Sequence, residues 1–220
     1  MLSKHEVLTI LRDTGVVAVI RTTKPKDLVA VSRAIRKGGA RFIEITMTVP
    51  GAIRIIEEAV KELKDEDVFI GAGTVLDPET ARAAIIAGSS FIVGPVFNKG
   101  VVKLCNRYGI VVMPAGFTPL EILTAWQAGA DIVKVFPANQ GGPQFFKDIK
   151  GPLPQIELLP TGGVNLQTAP EFIKAGACAI GVGEAMVGKQ LIATGDFETI
   201  TNNTRKFLEI FKTTKEILKS

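Results

Sequence analysis

A lysine occupies the middle of an otherwise apolar segment, Asp131–Pro137. Lys134 has apolar neighbours on both sides, and a lysine is almost never fully buried without a partner. Its amine is a nucleophile only when it is neutral, and an apolar pocket favours that form because it penalises the ammonium. Such a lysine can form a Schiff base with a ketone. Alternatively, it extends to the rim of the fold or pairs with an acidic residue for structure alone.

An acidic partner is available in the segment Ile43–Thr48, where polar and apolar residues alternate. Alternation along a strand places Glu44, Thr46 and Thr48 on one face. In a closed barrel this polar face points inward, whereas on an exposed edge strand Glu44 would have no particular role. An inward Glu44 opposes the loss of the proton from Lys134 and can transfer protons, directly or through a water molecule.

Glycines close several of the predicted strands. Gly162 and Gly163 follow the seventh strand, and Gly181 and Gly183 end the eighth. Glycines there leave backbone N–H groups free to approach an anion, which is the usual phosphate position in βα barrels. Glycines also serve tight turns, so this pattern by itself is a weak indication of a phosphate site.

These side chains must be positioned by short β-branched segments that alternate with amphipathic ones. We predict eight strands, at Val16–Arg21, Phe42–Thr48, Val68–Val75, Phe91–Phe97, Val111–Phe117, Asp131–Pro137, Ile156–Gly163 and Ala179–Ala185. Helical spacing of apolar residues predicts helices at Ser3–Asp13, Lys26–Lys37, Ala52–Leu63 and Phe197–Leu218. Eight βα units with nearly continuous apolar strands predict an α/β fold, a (β/α)₈ TIM barrel with an extra N-terminal helix.

Local signals mark the helix ends. Asp77 precedes Pro78 as an N-cap, and Gly88, Gly129 and Gly176 each follow a helical segment, where a C-cap glycine is expected. With no linker or low-complexity tract, we predict one domain over residues 1–220.

Composition narrows the class of protein. The net charge is +4 and the basic residues are dispersed, which argues against nucleic-acid binding, although a positive field favours anionic substrates. No apolar run approaches about 18 residues and the N-terminus is polar, so we expect no membrane segment and a cytoplasmic protein. Cys105 and Cys178 are expected to be reduced thiols. The single histidine, His5, makes a metal site improbable.

Taken together, these motifs resemble those of 2-keto-3-deoxy-6-phosphogluconate (KDPG) aldolase and 4-hydroxy-2-oxoglutarate (KHG) aldolase. The resemblance covers nearly the whole chain, and its blocks are Gly15–Arg21, Ile43–Thr46, Gly71–Val75, Lys134–Ala138 and Pro160–Val164. It implies a class I mechanism with no metal or cofactor, in which Lys134 forms an iminium with the substrate ketone and Glu44 is the general acid/base. It also implies a homotrimer.

The resemblance further implies cleavage of a 2-keto-3-deoxy sugar acid, first of all KDPG, to pyruvate and glyceraldehyde 3-phosphate. Cleavage of KHG to pyruvate and glyoxylate, or of an unphosphorylated 2-keto acid, is the alternative. The expected substrate contacts, besides the catalytic pair, are Arg21, Thr48, Thr74, Pro95, Phe136, Thr161, Gly162, Gly163, Gly183 and Glu184.

Three positions depart from the family pattern. Thr48 stands where many members have an arginine that binds the carboxylate, and Pro114-Ala115-Gly116 replaces a proline–glycine pair. Glu184 stands where a serine usually helps to bind phosphate. A carboxylate within ~5 Å of a dianion costs several kcal/mol even at an effective dielectric constant near ~20. Glu184 therefore either turns away to cap its own helix or faces a substrate end that is not phosphate, and we predict poor turnover of phosphorylated KDPG.

Two other classes of function remain open at this point. A phosphate-binding barrel without covalent catalysis, such as an epimerase or synthase, accounts for the glycines but leaves Lys134 unexplained. A non-catalytic relative that binds small anions or a partner protein is the other.

Overall fold

The computed structural model describes residues 2–21 and 25–219, with the backbone alone described at residues 25 and 26. The strands are β1 Val16–Ile20, β2 Phe42–Thr46, β3 Phe69–Gly73, β4 Phe91–Val93, β5 Val111–Met113, β6 Ala115–Gly116, β7 Val133–Val135, β8 Leu158–Pro160 and β9 Ile180–Val182. The helices are α1 Lys4–Thr14, α2 Pro25–Lys37, α3 Ala52–Glu62, α4 Pro78–Ile86, α5 Lys99–Arg107, α6 Pro119–Gln127, α7 Ala138–Lys150, α8 Ala169–Lys174, α9 Glu184–Val187, α10 Lys189–Thr194 and α11 Phe197–Ile217.

The strands are parallel and form two hydrogen-bonded sheets. One sheet has the order β5-β4-β3-β2-β1-β9, and the other has the order β6-β7-β8. The two sheets contact each other at both edges. Thr161, just after β8, bridges to Gly181 on β9, and the N–H of Lys134 on β7 donates to the carbonyl of Pro114, between β5 and β6, at 2.9 Å. The predicted α/β class with parallel strands is therefore confirmed.

The predicted fifth strand, Val111–Phe117, is divided in two. Pro114 lies between β5 and β6 and has no N–H to donate to a ladder. Over the residues that it describes, the structure thus has nine strands where eight were predicted. The other predicted strands are too long, mostly at their carboxyl ends, because the chain leaves the ladder there to form loops. Ser3, predicted as the first residue of the N-terminal helix, instead caps it, bonding with Glu6 in a capping box.

The predicted helix-end signals hold. The Asp77 side chain accepts a hydrogen bond from the Thr80 N–H, and Gly88, Gly129 and Gly176 have positive φ angles just beyond their helices. Among the described residues, no helix is both long enough and apolar enough to span a membrane.

Apolar side chains form two separate cores on opposite faces of the strands. The outer core lies between strands and helices and includes Ile43 and Ile45. The inner core contains Phe42, whose ring stacks on Phe69 with centroids 4.7 Å apart, and Leu11 from α1. Helix α1 therefore covers the amino-terminal end of the strands, which leaves their carboxyl ends for a site.

Candidate active site

Lys134 lies at the centre of β7 with only 3% of its surface exposed. Its register partners are Ala115 on β6 and Leu159 on β8. The amine, Nζ, is 5.0 Å from the centroid of the Phe136 ring, close enough for a cation–π contact when charged. Among the described residues Lys134 forms no ion pair or side-chain hydrogen bond. The amine is thus buried without being tied to one neighbour, as a nucleophile requires.

Burial lowers the pKa of Lys134 from its usual value. The negative charge of Glu44 opposes this shift and the positive charge of Arg21 adds to it, but both effects are smaller than that of burial. The sequence predicted this balance between apolar surroundings and a nearby carboxylate. The neutral, nucleophilic form of the amine is therefore more abundant than on a free lysine.

Glu44 lies on β2, and it too is 3% exposed. Its register partners are Val19 on β1 and Gly71 on β3. Because Phe42 belongs to the inner core, strand alternation places Glu44 on the inner face, while Ile43 belongs to the outer core. The predicted inward orientation of Glu44 is confirmed.

Gly73 lies within the predicted strand Val68–Val75, and sequence reasoning gave it no role. A β-carbon at this position would lie 1.9 Å from Oε1 and 2.4 Å from Cδ of Glu44, so only glycine leaves room for the carboxylate. Period-2 alternation along β3 could have placed Gly73 on the inner face, but its contact with Glu44 depends on the register between β2 and β3.

A cavity of about 600 Å³ opens at the carboxyl ends of β1, β8 and β9. Its wall brings together seven of the predicted residues: Arg21, Phe136, Thr161, Gly162, Gly163, Gly183 and Glu184. It also contains Lys189, which sequence reasoning missed because no motif marks it. The cavity therefore has both cationic and anionic side chains on its wall.

The two glycines after β8 are required by the backbone. Gly162 and Gly163 have φ angles of +92° and +75°, and a β-carbon at Gly163 would lie 2.4 Å from Cβ of Asn139. Thr161 depends on a third glycine, since a β-carbon at Gly181 would lie 2.4 Å from its Oγ1. Glycine thus shapes this wall of the cavity and leaves backbone exposed along it.

Glu184 does not cap its own helix, so the first of the two alternatives for this residue is wrong. Its Oε1 instead accepts a hydrogen bond from the backbone N–H of Lys189, the first residue of α10, at 3.3 Å. The reason is that α9 has only four residues, so the chain turns at Gly188 and brings the start of α10 next to the glutamate.

Five predicted residues are not on the wall of this cavity: the buried pair Lys134 and Glu44, and Thr48, Thr74 and Pro95. Thr48 is exposed on a separate cavity beside α3, where its Oγ1 is 2.7 Å from Oγ1 of the buried Thr46. Thr74 and Pro95 are half-buried just after β3 and β4. Thr74 has a φ of +59°, which is unusual for a β-branched residue and typical of functional sites.

A family model described as KDPG and KHG aldolase matches residues 7–203 of the chain. The chain belongs to this aldolase family. The 2-dehydro-3-deoxy-phosphogluconate aldolase of Treponema pallidum (strain Nichols) is 34% identical to this aldolase. The match covers 91% of the present chain and 95% of the relative. The 2-dehydro-3-deoxy-6-phosphogalactonate aldolase of Escherichia coli (strain K12) is also 34% identical, over 76% of this chain and 82% of the relative.

Solved structures agree with this membership. One is KDPG aldolase from Legionella pneumophila, with pyruvate captured at low pH as a covalent carbinolamine intermediate. It superposes on this aldolase with a TM-score of 0.83 at 26% identity, covering 89% of this chain and 95% of the other.

Metal-ligand donors are not clustered in this aldolase. Within residues 2–21 and 25–219, no group of three or more His, Cys, Asp or Glu side chains is placed to hold a metal ion. The reactive groups gathered in the interior are instead one amine, on Lys134, and one carboxylate, on Glu44. Together they can form a covalent bond to a carbonyl carbon and transfer a proton.

Proposed function

We propose that this protein is a class I aldolase that cleaves a 2-keto-3-deoxy sugar acid to pyruvate and an aldehyde. Lys134 is the Schiff-base lysine and Glu44 the general acid/base. The observation that carries the proposal is the burial of Lys134, which lowers the pKa of its amine within reach of the Glu44 charge, in a chain of the aldolase family.

The proposed reaction begins with attack of the neutral Lys134 amine on the C2 ketone. The carbinolamine loses water to give an iminium, which is an electron sink and replaces a cofactor. Glu44 takes the proton of the C4 hydroxyl, the C3–C4 bond breaks, and its electrons enter the iminium to form an enamine as the aldehyde leaves. Glu44 then returns the proton to C3. Water hydrolyses the new iminium, which releases pyruvate and the free lysine.

Other residues are assigned to the substrate by their resemblance to family positions. Phe136, within 5.0 Å of the lysine amine, and Pro95 wall the pyruvyl group. Thr74 and Arg21 bind the carboxylate end, and Thr161 lines the pocket. Thr48, also assigned to the substrate, is hydrogen-bonded to Thr46.

The far end of the substrate lies against the glycine-lined wall formed by Gly162, Gly163 and Gly183, beside Glu184. KDPG is the first candidate, because the Treponema relative is a 2-dehydro-3-deoxy-phosphogluconate aldolase. KHG is the second candidate, because the matching family model includes KHG aldolase and the two-carbon glyoxylate end would not extend to Glu184.

We also propose that the βα units close into a (β/α)₈ barrel and that residues 1–220 form one domain. The contacts between the two sheets at Thr161–Gly181 and at the Lys134 N–H support closure. By resemblance, the protein is a metal-independent, cytoplasmic homotrimer that binds a small 2-keto acid and neither nucleic acid nor membrane. Sedimentation equilibrium tests the trimer, and activity in the presence of a chelator tests metal independence.

Trapping tests the central proposal. The protein is incubated with pyruvate, reduced with borohydride, and analysed by intact mass and peptide mapping. We expect one pyruvyl adduct on Lys134, none on the exposed Lys147 or Lys189, and none in Lys134→Met. An unmodified Lys134 under conditions where a known class I aldolase is trapped would refute the mechanism.

A further inference from the structure

The outer wall of the 600 Å³ cavity carries three charged side chains. Arg21 and Lys189 are cationic, and Glu184 is anionic. Within the part of the chain that the structure describes, none of the three forms an ion pair. All three are therefore free to act on a ligand in the cavity.

The Glu184 carboxylate is held at this wall by the local backbone. Its Oε1 accepts from the Lys189 N–H at 3.3 Å, and a β-carbon at Gly188 would lie 3.2 Å from the same oxygen. The carboxylate thus packs against the turn between α9 and α10, at the exposed edge of the cavity. It contacts the backbone of Lys189, and the two side chains form no ion pair among the described residues.

These charges act differently on the two groups that a sugar acid can have at its far end, a phosphate or a hydroxyl. A phosphate dianion at the far end is attracted by Lys189 and repelled by Glu184, so the repulsion cancels much of the attraction. A terminal hydroxyl carries no charge to be repelled, and it can donate a charge-assisted hydrogen bond to the carboxylate.

We propose that Glu184 and Lys189 set the far-end selectivity of the enzyme, so that an unphosphorylated 2-keto-3-deoxy sugar acid is used about as well as its phosphate ester. Glu184 lowers the preference for phosphate and Lys189 raises it. This inference rests on the proposed aldolase function, and it adds Lys189 to the substrate-contacting residues.

The test compares kcat/KM for KDPG with kcat/KM for its unphosphorylated counterpart. In the wild type we expect the two values to agree within about tenfold. Glu184→Gln keeps an acceptor for the Lys189 N–H while it removes the charge, so the preference for KDPG should rise about tenfold, through KM. Lys189→Gln should change the preference in the opposite direction. Glu209→Gln, which removes a carboxylate on α11 away from this cavity, should leave the ratio unchanged.

Salt separates a charge effect from a change of shape. Because exposed charges are screened, the effect of Glu184→Gln should shrink as ionic strength rises. A wild-type preference for KDPG above about a hundredfold that Glu184→Gln leaves unaltered would overturn the inference. If the Lys134 adduct with pyruvate still forms in that case, only the selectivity is refuted. If the adduct is absent from the wild type as well, the aldolase function itself fails.

Discussion

The carboxylate of Glu44 lies directly over Gly73, with Oε1 at 1.9 Å from the place where a β-carbon would stand. Real β-carbons do not approach other atoms this closely, so any side chain at position 73 must displace the glutamate. Strand β3 thus helps to position a carboxylate that belongs to β2, although Gly73 has no side chain of its own.

We therefore predict that Gly73→Ala slows turnover by about tenfold or more, because the displaced carboxylate no longer reaches the substrate proton. Covalent trapping of pyruvate on Lys134 should persist. Overpacking of this kind also costs about 1–3 kcal/mol of stability, which thermal unfolding measures. Gly151→Ala is the matched control, since its nearest atom is 3.6 Å away.

A double variant shows whether Gly73 acts through Glu44. If it does, adding Gly73→Ala to Glu44→Ala should produce no further loss of kcat. Additive losses would mean that Gly73 affects catalysis by another route.

The second prediction concerns the proton transferred by Glu44. Glu44→Gln keeps the size of the side chain, so it still fits against Gly73, but it removes the basic oxygen. Turnover should fall by ~10²-fold or more while the pyruvate adduct still forms. Unchanged steady-state turnover in a stopped assay would remove Glu44 from the proposed mechanism.

The third prediction is a pH dependence set by Lys134. Burial lowers the pKa of its amine, so the neutral form appears below the usual pH for lysine. The initial rate of pyruvate trapping should rise from neutral to alkaline pH with a midpoint below 10.5, the ordinary value.

The same shift affects stability. In the window below 10.5 the unfolded chain holds a proton that folded Lys134 has lost, so the free energy of unfolding should rise with pH there. Comparison with Lys134→Met, which lacks the group, isolates its contribution. A trapping midpoint at or above the ordinary value would contradict the prediction.

The fourth prediction concerns Cys105, a free and fully buried thiol. Burial raises its pKa to about 12, so the reactive thiolate is scarce at neutral pH. In a Cys178→Ser background we expect very slow reaction with a disulfide reagent in the native protein and complete reaction after unfolding in urea. Rapid native labelling would show that the core around α5 opens readily.

Much of the fold and the proposed catalytic pair could be predicted from the sequence because they depend on local periodicity. Alternation in Ile43–Thr48 predicted the face of Glu44, and the apolar segment around Lys134 favoured its burial, while an edge strand and extension to the rim stayed open as alternatives. The strand ends were less predictable. Pro114 interrupts a segment that reads as one strand, because the loss of a single N–H matters more to the ladder than the surrounding β-branched residues do.

The sequence by itself therefore determined the chemistry of the interior, an amine and a carboxylate on inward faces of parallel strands, since residue type and period depend only on neighbours along the chain. Tertiary structure decided which residues meet at the rim. Gly73 faces Glu44 because β2 and β3 pair in one register, and Glu184 meets Lys189 because a four-residue helix turns the chain back. Those contacts depend on the path of the loops and on strand register, which residue type and local period do not specify.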